Sequence, residues 1–150
     1  MRNLVLAMLL VPSLASAADP ILPNEHLTPG VADTTVTLEK LCLAGYTGTV
    51  RNVSNAKKKV IFELYGIDPT KDKYEVDHLI SLELGGSNDV KNLWPESYTT
   101  MPWNARVKDK LENRMHKLVC EGKLDLPTAQ FEIATDWIKA YIKYIGNPLQ

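Results

Sequence analysis

The chain has 150 residues, with 17 basic and 18 acidic side chains and a formal net charge of -1 at pH 7. That balance excludes nucleic-acid binding through bulk charge, so any such binding has to come from a local patch or a metal. The length suits one domain with a modest core.

Met1 and Arg2 make a short positive start, residues 3–14 are mostly apolar, and Ala15-Ser16-Ala17-Ala18 supplies the small residues of a cleavage site. The pattern predicts a secretory leader over residues 1–18 and a mature domain over 19–150. The apolar run is too short to span a bilayer comfortably. The expected location is therefore periplasmic or secreted, with no stable membrane association after cleavage. Cys42 and Cys120 both lie in the exported part, where an oxidising compartment favours a bridge between them over two buried thiols.

Residues 19–33 are rich in Pro and Gly and read as an irregular arm, with His26 at its surface. Residues 34–38 read as a short strand or the lead into a helix, and Thr37 caps a turn over 38–41. Gly45 to Gly48 breaks the pattern. Ser54 or Asn55 caps a helix that starts near Ala56 and stops at Gly66, with Val60, Ile61 and Leu64 on its apolar face. Lys57, Lys58 and Lys59 form either a solvated face or a phosphate-facing patch. Asp68-Pro69 is a breaker.

Tyr74, Val76 and His78 alternate with Glu75 and Asp77 as a half-buried strand does, the strand is expected over 74–81, Gly85-Gly86 turns the chain, and residues 92–94 return as a second strand. A helix follows from about Asn104 to Cys120, with Val107, Leu111, Met115 and Leu118 as its buried stripe. The last helix opens at Pro127, with Asp125 or Leu126 near the cap and Ala134, Trp137, Ile138, Tyr141 and Ile145 along one face. Trp94 and Trp103 read mainly as core. The expected fold class is α+β: a small, mostly helical domain around a hairpin and the helix after it, with the informative core at 74–120.

Asp77, His78, Asn92 and Asn104 are the residues in that core that carry chemistry. Imidazole titrates near neutrality, so His78 can take a proton from water. Asp77 can ligate a hard divalent cation, which would neutralise phosphate charge. Asn92 on the return limb can steady the imidazole, and Asn104 at the helix start can offer its side-chain oxygen to the same ion or simply cap the helix. Adjacent residues of an ideal strand point to opposite faces, so Asp77 and His78 share a substrate only where the strand twists or ends.

The segment DHLISLELGGSNDVKNLWPE resembles the motif of HNH (His-Me, ββα-metal) nucleases. The resemblance implies that His78 is the general base, that Asn92 steadies it, and that Asp77 is a metal ligand. Asn104 matches the last ligand position. It further implies a divalent ion, magnesium or manganese with zinc as the alternative, and a DNA or RNA phosphodiester as substrate. The chain lacks the cysteine pair around the motif and the final histidine that many members have. Arg106 and Lys108, one turn into the helix, are candidates for phosphate contact, and Lys108 alternatively fills the space of a lost ligand. The function expected is a non-specific metal-dependent endonuclease. The rival is an inactive scaffold of the same type that binds nucleic acid, a metal or a protein partner.

Overall fold

The computed structural model describes residues 21–148. The leader expected over residues 1–18 lies outside the described residues. In chain order the elements are α1 (Leu38–Leu41), α2 (Tyr46–Val50), α3 (Asn55–Leu64), β1 (Tyr74–His78), β2 (Leu93–Ser97), α4 (Ala105–Cys120) and α5 (Leu126–Tyr144). Among the described residues the fold is α+β, with one two-stranded antiparallel sheet. No described helix is long and apolar enough to cross a membrane.

Local chemistry sets most of the helix boundaries. Ser54 Oγ accepts from the Lys57 N–H at 3.2 Å to open α3, and Asp125 Oδ2 accepts from the Thr128 N–H at 3.2 Å to open α5. Each satisfies an amide that the first turn of a helix leaves without a partner. α5 is interrupted at Asp136 (φ -165°, ψ 91°), and that side chain re-caps the second half by accepting from the Lys139 N–H at 3.0 Å. α2 forms where the glycines at 45 and 48 predicted a break: Gly45, at φ 80°, sits at the N-cap and starts the helix.

β1 ends at His78, where the alternation stops and three residues earlier than the expected bound, because residues 82–84 coil into a 3-10 turn that Ser81 caps. β2 begins one residue later than expected and runs on to Ser97. The register sets Glu75 opposite Glu96, Asp77 opposite Trp94 and His78 opposite Leu93.

The hairpin separates two apolar clusters. Ile61 of α3 packs with Val76 and Leu93 on one side. On the other, Trp94 joins Leu111, Met115 and Val119 of α4 and Ala129, Ile133, Trp137, Ala140 and Tyr141 of α5. Trp103 sits edge-on to Trp137 and Tyr141, with ring centroids 5.7 and 5.5 Å away, and ties the entry of α4 to α5. Cys42 and Cys120 form the expected disulfide, which joins the residue after α1 to the end of α4.

Candidate functional site

The loop between the strands is held by two residues. Gly86 passes so close to Ile80 that an added Cβ would lie 1.7 Å from the Ile80 carbonyl oxygen. Asn92 is fully buried and uses its whole amide on backbone. Its Oδ1 accepts from the Ile80 N–H (2.9 Å) and the Val31 N–H (3.2 Å), and its Nδ2 donates to the carbonyls of Ile80 (3.0 Å) and Ser87 (2.8 Å). Asn92 therefore ties the glycine turn and the N-terminal arm together, and it makes none of the hydrogen bonds to His78 expected of it.

That role falls to Asn88, which sequence reasoning missed. His78 Nε2 lies 3.1 Å from Asn88 Oδ1. The neighbouring bonds determine who donates. Asn88 Oδ1 also accepts from the Asn52 N–H (3.0 Å), and Asn88 Nδ2 donates to the Val50 carbonyl (2.8 Å). The amide orientation is thus fixed, so Nε2 carries the proton and Nδ1 the lone pair. His78 is 1% exposed, and its Nδ1 has no hydrogen-bond partner among the described residues. Burial pushes the imidazole pKa down, outweighing the Asn88 bond and the Asp77 charge, so the ring is neutral at pH 7.

Alternation along β1 sends the carboxylate of Asp77 the other way. It faces α4, where Lys108 Nζ donates to Asp77 Oδ2 at 2.6 Å and to the main-chain carbonyl of His78 at 2.7 Å. Glu112, one turn on along α4, accepts the third hydrogen bond of the ammonium. Lys108 is fully buried. This corrects its expected contact with phosphate: the ammonium is spent inside the protein. Burial alone would raise the Asp77 pKa, but the Lys108 charge and hydrogen bond outweigh it and hold the carboxyl below its ordinary value. Burial likewise works against the charged lysine, and Asp77 and Glu112 reverse the effect and raise it.

Glu96 completes this face. It is 2% exposed, and neither carboxyl oxygen has a hydrogen-bond partner among the described residues. Burial pushes its pKa up to about 10, the nearby charges of Asp77, Glu112 and Glu75 push the same way, and Lys108 offsets only part. Burial also pushes Glu112 up to about 8 against the pull of Lys108. Glu75 accepts from the Tyr98 hydroxyl at 2.6 Å, and burial raises it as well.

Asn104 caps α4, accepting from the Val107 N–H at 3.2 Å, and its Nδ2 donates to the Thr100 carbonyl at 2.9 Å. Its oxygen and the Asp77 carboxylate are thus engaged with different partners. The divalent-ion pair expected from these two residues does not fit this arrangement. Arg106 is exposed, with its guanidinium 5.9 Å from the Tyr98 ring centroid. Arg51, also exposed, lies between the two residues that bond to Asn88, and its charge acts on His78.

Two of these burials had a sequence signal. Positions 104, 108, 111 and 115 follow helical spacing, so Lys108 lies on the buried stripe with Leu111 and Met115. Glu96 lies two residues beyond Trp94, on the same face of β2. Asn88 had none, since its partners come from a segment far away in sequence. Cys42, His116 and Cys120 form a further group, with His116 Nε2 3.3 Å from Cys120 Sγ and 3.1 Å from the Leu41 carbonyl. No family model, curated protein or solved structure matches the chain.

Proposed function

We propose that the chain is an exported HNH-type endonuclease that hydrolyses phosphodiester bonds of DNA or RNA, with His78 as its general base. One observation supports this above the others: Asn88 holds the imidazole as the Nε2–H tautomer, leaving Nδ1 with a lone pair and no partner. A neutral, tautomer-locked imidazole is what proton abstraction from water requires. In the reaction, Nδ1 takes a proton from water, the hydroxide attacks phosphorus, and the bond to the leaving sugar oxygen breaks. The leaving oxygen then takes a proton from the imidazolium or from solvent. Arg51 and Arg106, both exposed, are the cations available to the phosphate. His78 is 1% exposed, so water reaches Nδ1 only when the residues packed around the ring part. No step is assigned to a divalent ion, because Asp77 and Asn104 are engaged elsewhere. The leader-like start and the disulfide support a periplasmic or secreted location.

A second reading rests on a specific observation. The closed cluster around Lys108 and the burial of His78 favour a scaffold of this type that binds a partner without hydrolysis. Plasmid DNA and a single-stranded RNA, incubated with the mature protein in magnesium, manganese, calcium or zinc and in chelator, separate the two. Cleavage that His78→Ala abolishes, with its circular dichroism unchanged, supports the nuclease. Cleavage that survives in His78→Ala refutes the assignment of the base. An inert, folded wild type under every condition leaves the scaffold reading standing.

A further inference from the structure

Lys108 is an unusual core residue. A fully buried lysine needs partners for its charge and for its three N–H groups. Here all three are satisfied, by Asp77 Oδ2, the His78 carbonyl and Glu112 Oε1. The acceptors come from β1 and α4. Glu96 of β2 feels the charge of the ammonium without pairing with it, and its two buried oxygens have no hydrogen-bond partner among the described residues. Two carboxylates and a carbonyl around one point are hard-oxygen donors of the kind that hold a divalent cation. The point is held by an amine of the chain itself.

We propose that Lys108 is the resident cation of this oxygen cage: its ammonium stands where a divalent ion would be held, the native protein assembles the centre without metal, and removing the ammonium creates a metal site. The inference does not depend on whether the chain hydrolyses nucleic acid. It accounts for the engagement of the Asp77 carboxylate with an amine while the Asn104 oxygen caps α4, and it makes any cleavage by the native protein resistant to chelator. The charge balance agrees. One ammonium stands against the two carboxylates it contacts, Asp77 and Glu112, where a divalent ion would match both charges. Glu75 and Asp109, on the rim, add negative charge in the same direction, and Lys108 and Arg51 offset Asp109.

The test is metal binding by wild type, Lys108→Ala and the double variant Lys108→Ala/Asp77→Asn, each stripped with chelator and titrated with Mn2+, Mg2+ or Ca2+ at matched ionic strength. Melting temperature and Mn2+ paramagnetic resonance are the readouts. Lys108→Ala is expected to bind one Mn2+ saturably and to gain about 5 °C or more in melting temperature at saturating ion. Wild type and the double variant are expected to show neither effect. A Lys108→Ala chain that folds only with the ion supports the proposal equally. Saturable binding by wild type that Asp77→Asn removes would overturn it. So would a Lys108→Ala chain that is folded but blind to every ion, or unfolded with all of them.

Discussion

Replacing Glu96 by Gln should stabilise the protein, and more so as pH rises. The carboxyl is 2% exposed, has no hydrogen-bond partner among the described residues, and has a pKa pushed up to about 10 by burial and by neighbouring carboxylates. A carboxyl whose folded pKa is raised keeps its proton in the native state while the unfolded chain loses it. The unfolded state then binds fewer protons, and stability falls with pH from the unfolded value near 4.5 up to the folded value near 10. One group contributes a slope of about -1.4 kcal/mol per pH unit across that window. Gln has the shape of the protonated acid and does not titrate, so it removes the slope. The two proteins should be of similar stability near pH 4.5. At pH 7 the variant should lead by roughly 1–3 kcal/mol, the full linkage value of about 3 being an upper bound because the native cluster relaxes when charged. Urea unfolding at half-unit intervals from pH 4.5 to 8, with the m-value checked for constancy, measures the difference. A Gln variant less stable than wild type at pH 7, or a gap that does not widen with pH, would refute the picture of Glu96 as a buried, partnerless acid.

Other outcomes follow from the same geometry. His78→Ala should lower any phosphodiester cleavage by about 10²–10⁴-fold. Asn88→Ala should lower it less and also lower the melting temperature, since the bonds to His78, Asn52 and Val50 go with the side chain; kcat on a fluorogenic oligonucleotide and a thermal melt check these outcomes. The His78 pKa is lowered, and the neutral imidazole persists above it, so the acid limb of the rate profile should lie below the ordinary imidazole value of 6.5; a limb above 6.5 would exclude His78 as the base. Gly86→Ala forces a Cβ to within 1.7 Å of the Ile80 carbonyl oxygen, and equilibrium unfolding should record a loss of at least about 3 kcal/mol. Cys42→Ser opens a loop whose ends are 78 residues apart, with an expected loss of about 3–4 kcal/mol in the non-reduced protein and none relative to wild type once both are reduced.

What could be read from the chain follows range of interaction. Ser54, Asn104 and Asp125 predicted three helix starts because a cap is a contact over three residues, set by local side-chain chemistry. The hairpin was legible from alternation around Gly85-Gly86, and the pairing of Cys42 with Cys120 from the leader-like start and the count of two cysteines. The α+β class came from the same short-range signals.

The centre of the hairpin was decided elsewhere. Asp77 and His78 are adjacent in sequence, yet β1 keeps its alternation to its last residue, so one side chain meets α4 and the other meets Asn88. A lysine on a helix is ordinarily solvated. Lys108 is buried only because Asp77 and the His78 carbonyl come from β1, thirty-odd residues earlier, while Glu112 comes from its own helix. Asn92 and Asn88 are four positions apart in one loop, and nothing local distinguishes the one that braces the glycine turn from the one that holds the imidazole. Caps, periods and turns are written in neighbouring residues. Which polar groups lose their water, and which partners replace it, depends on segments that meet only when the chain has folded.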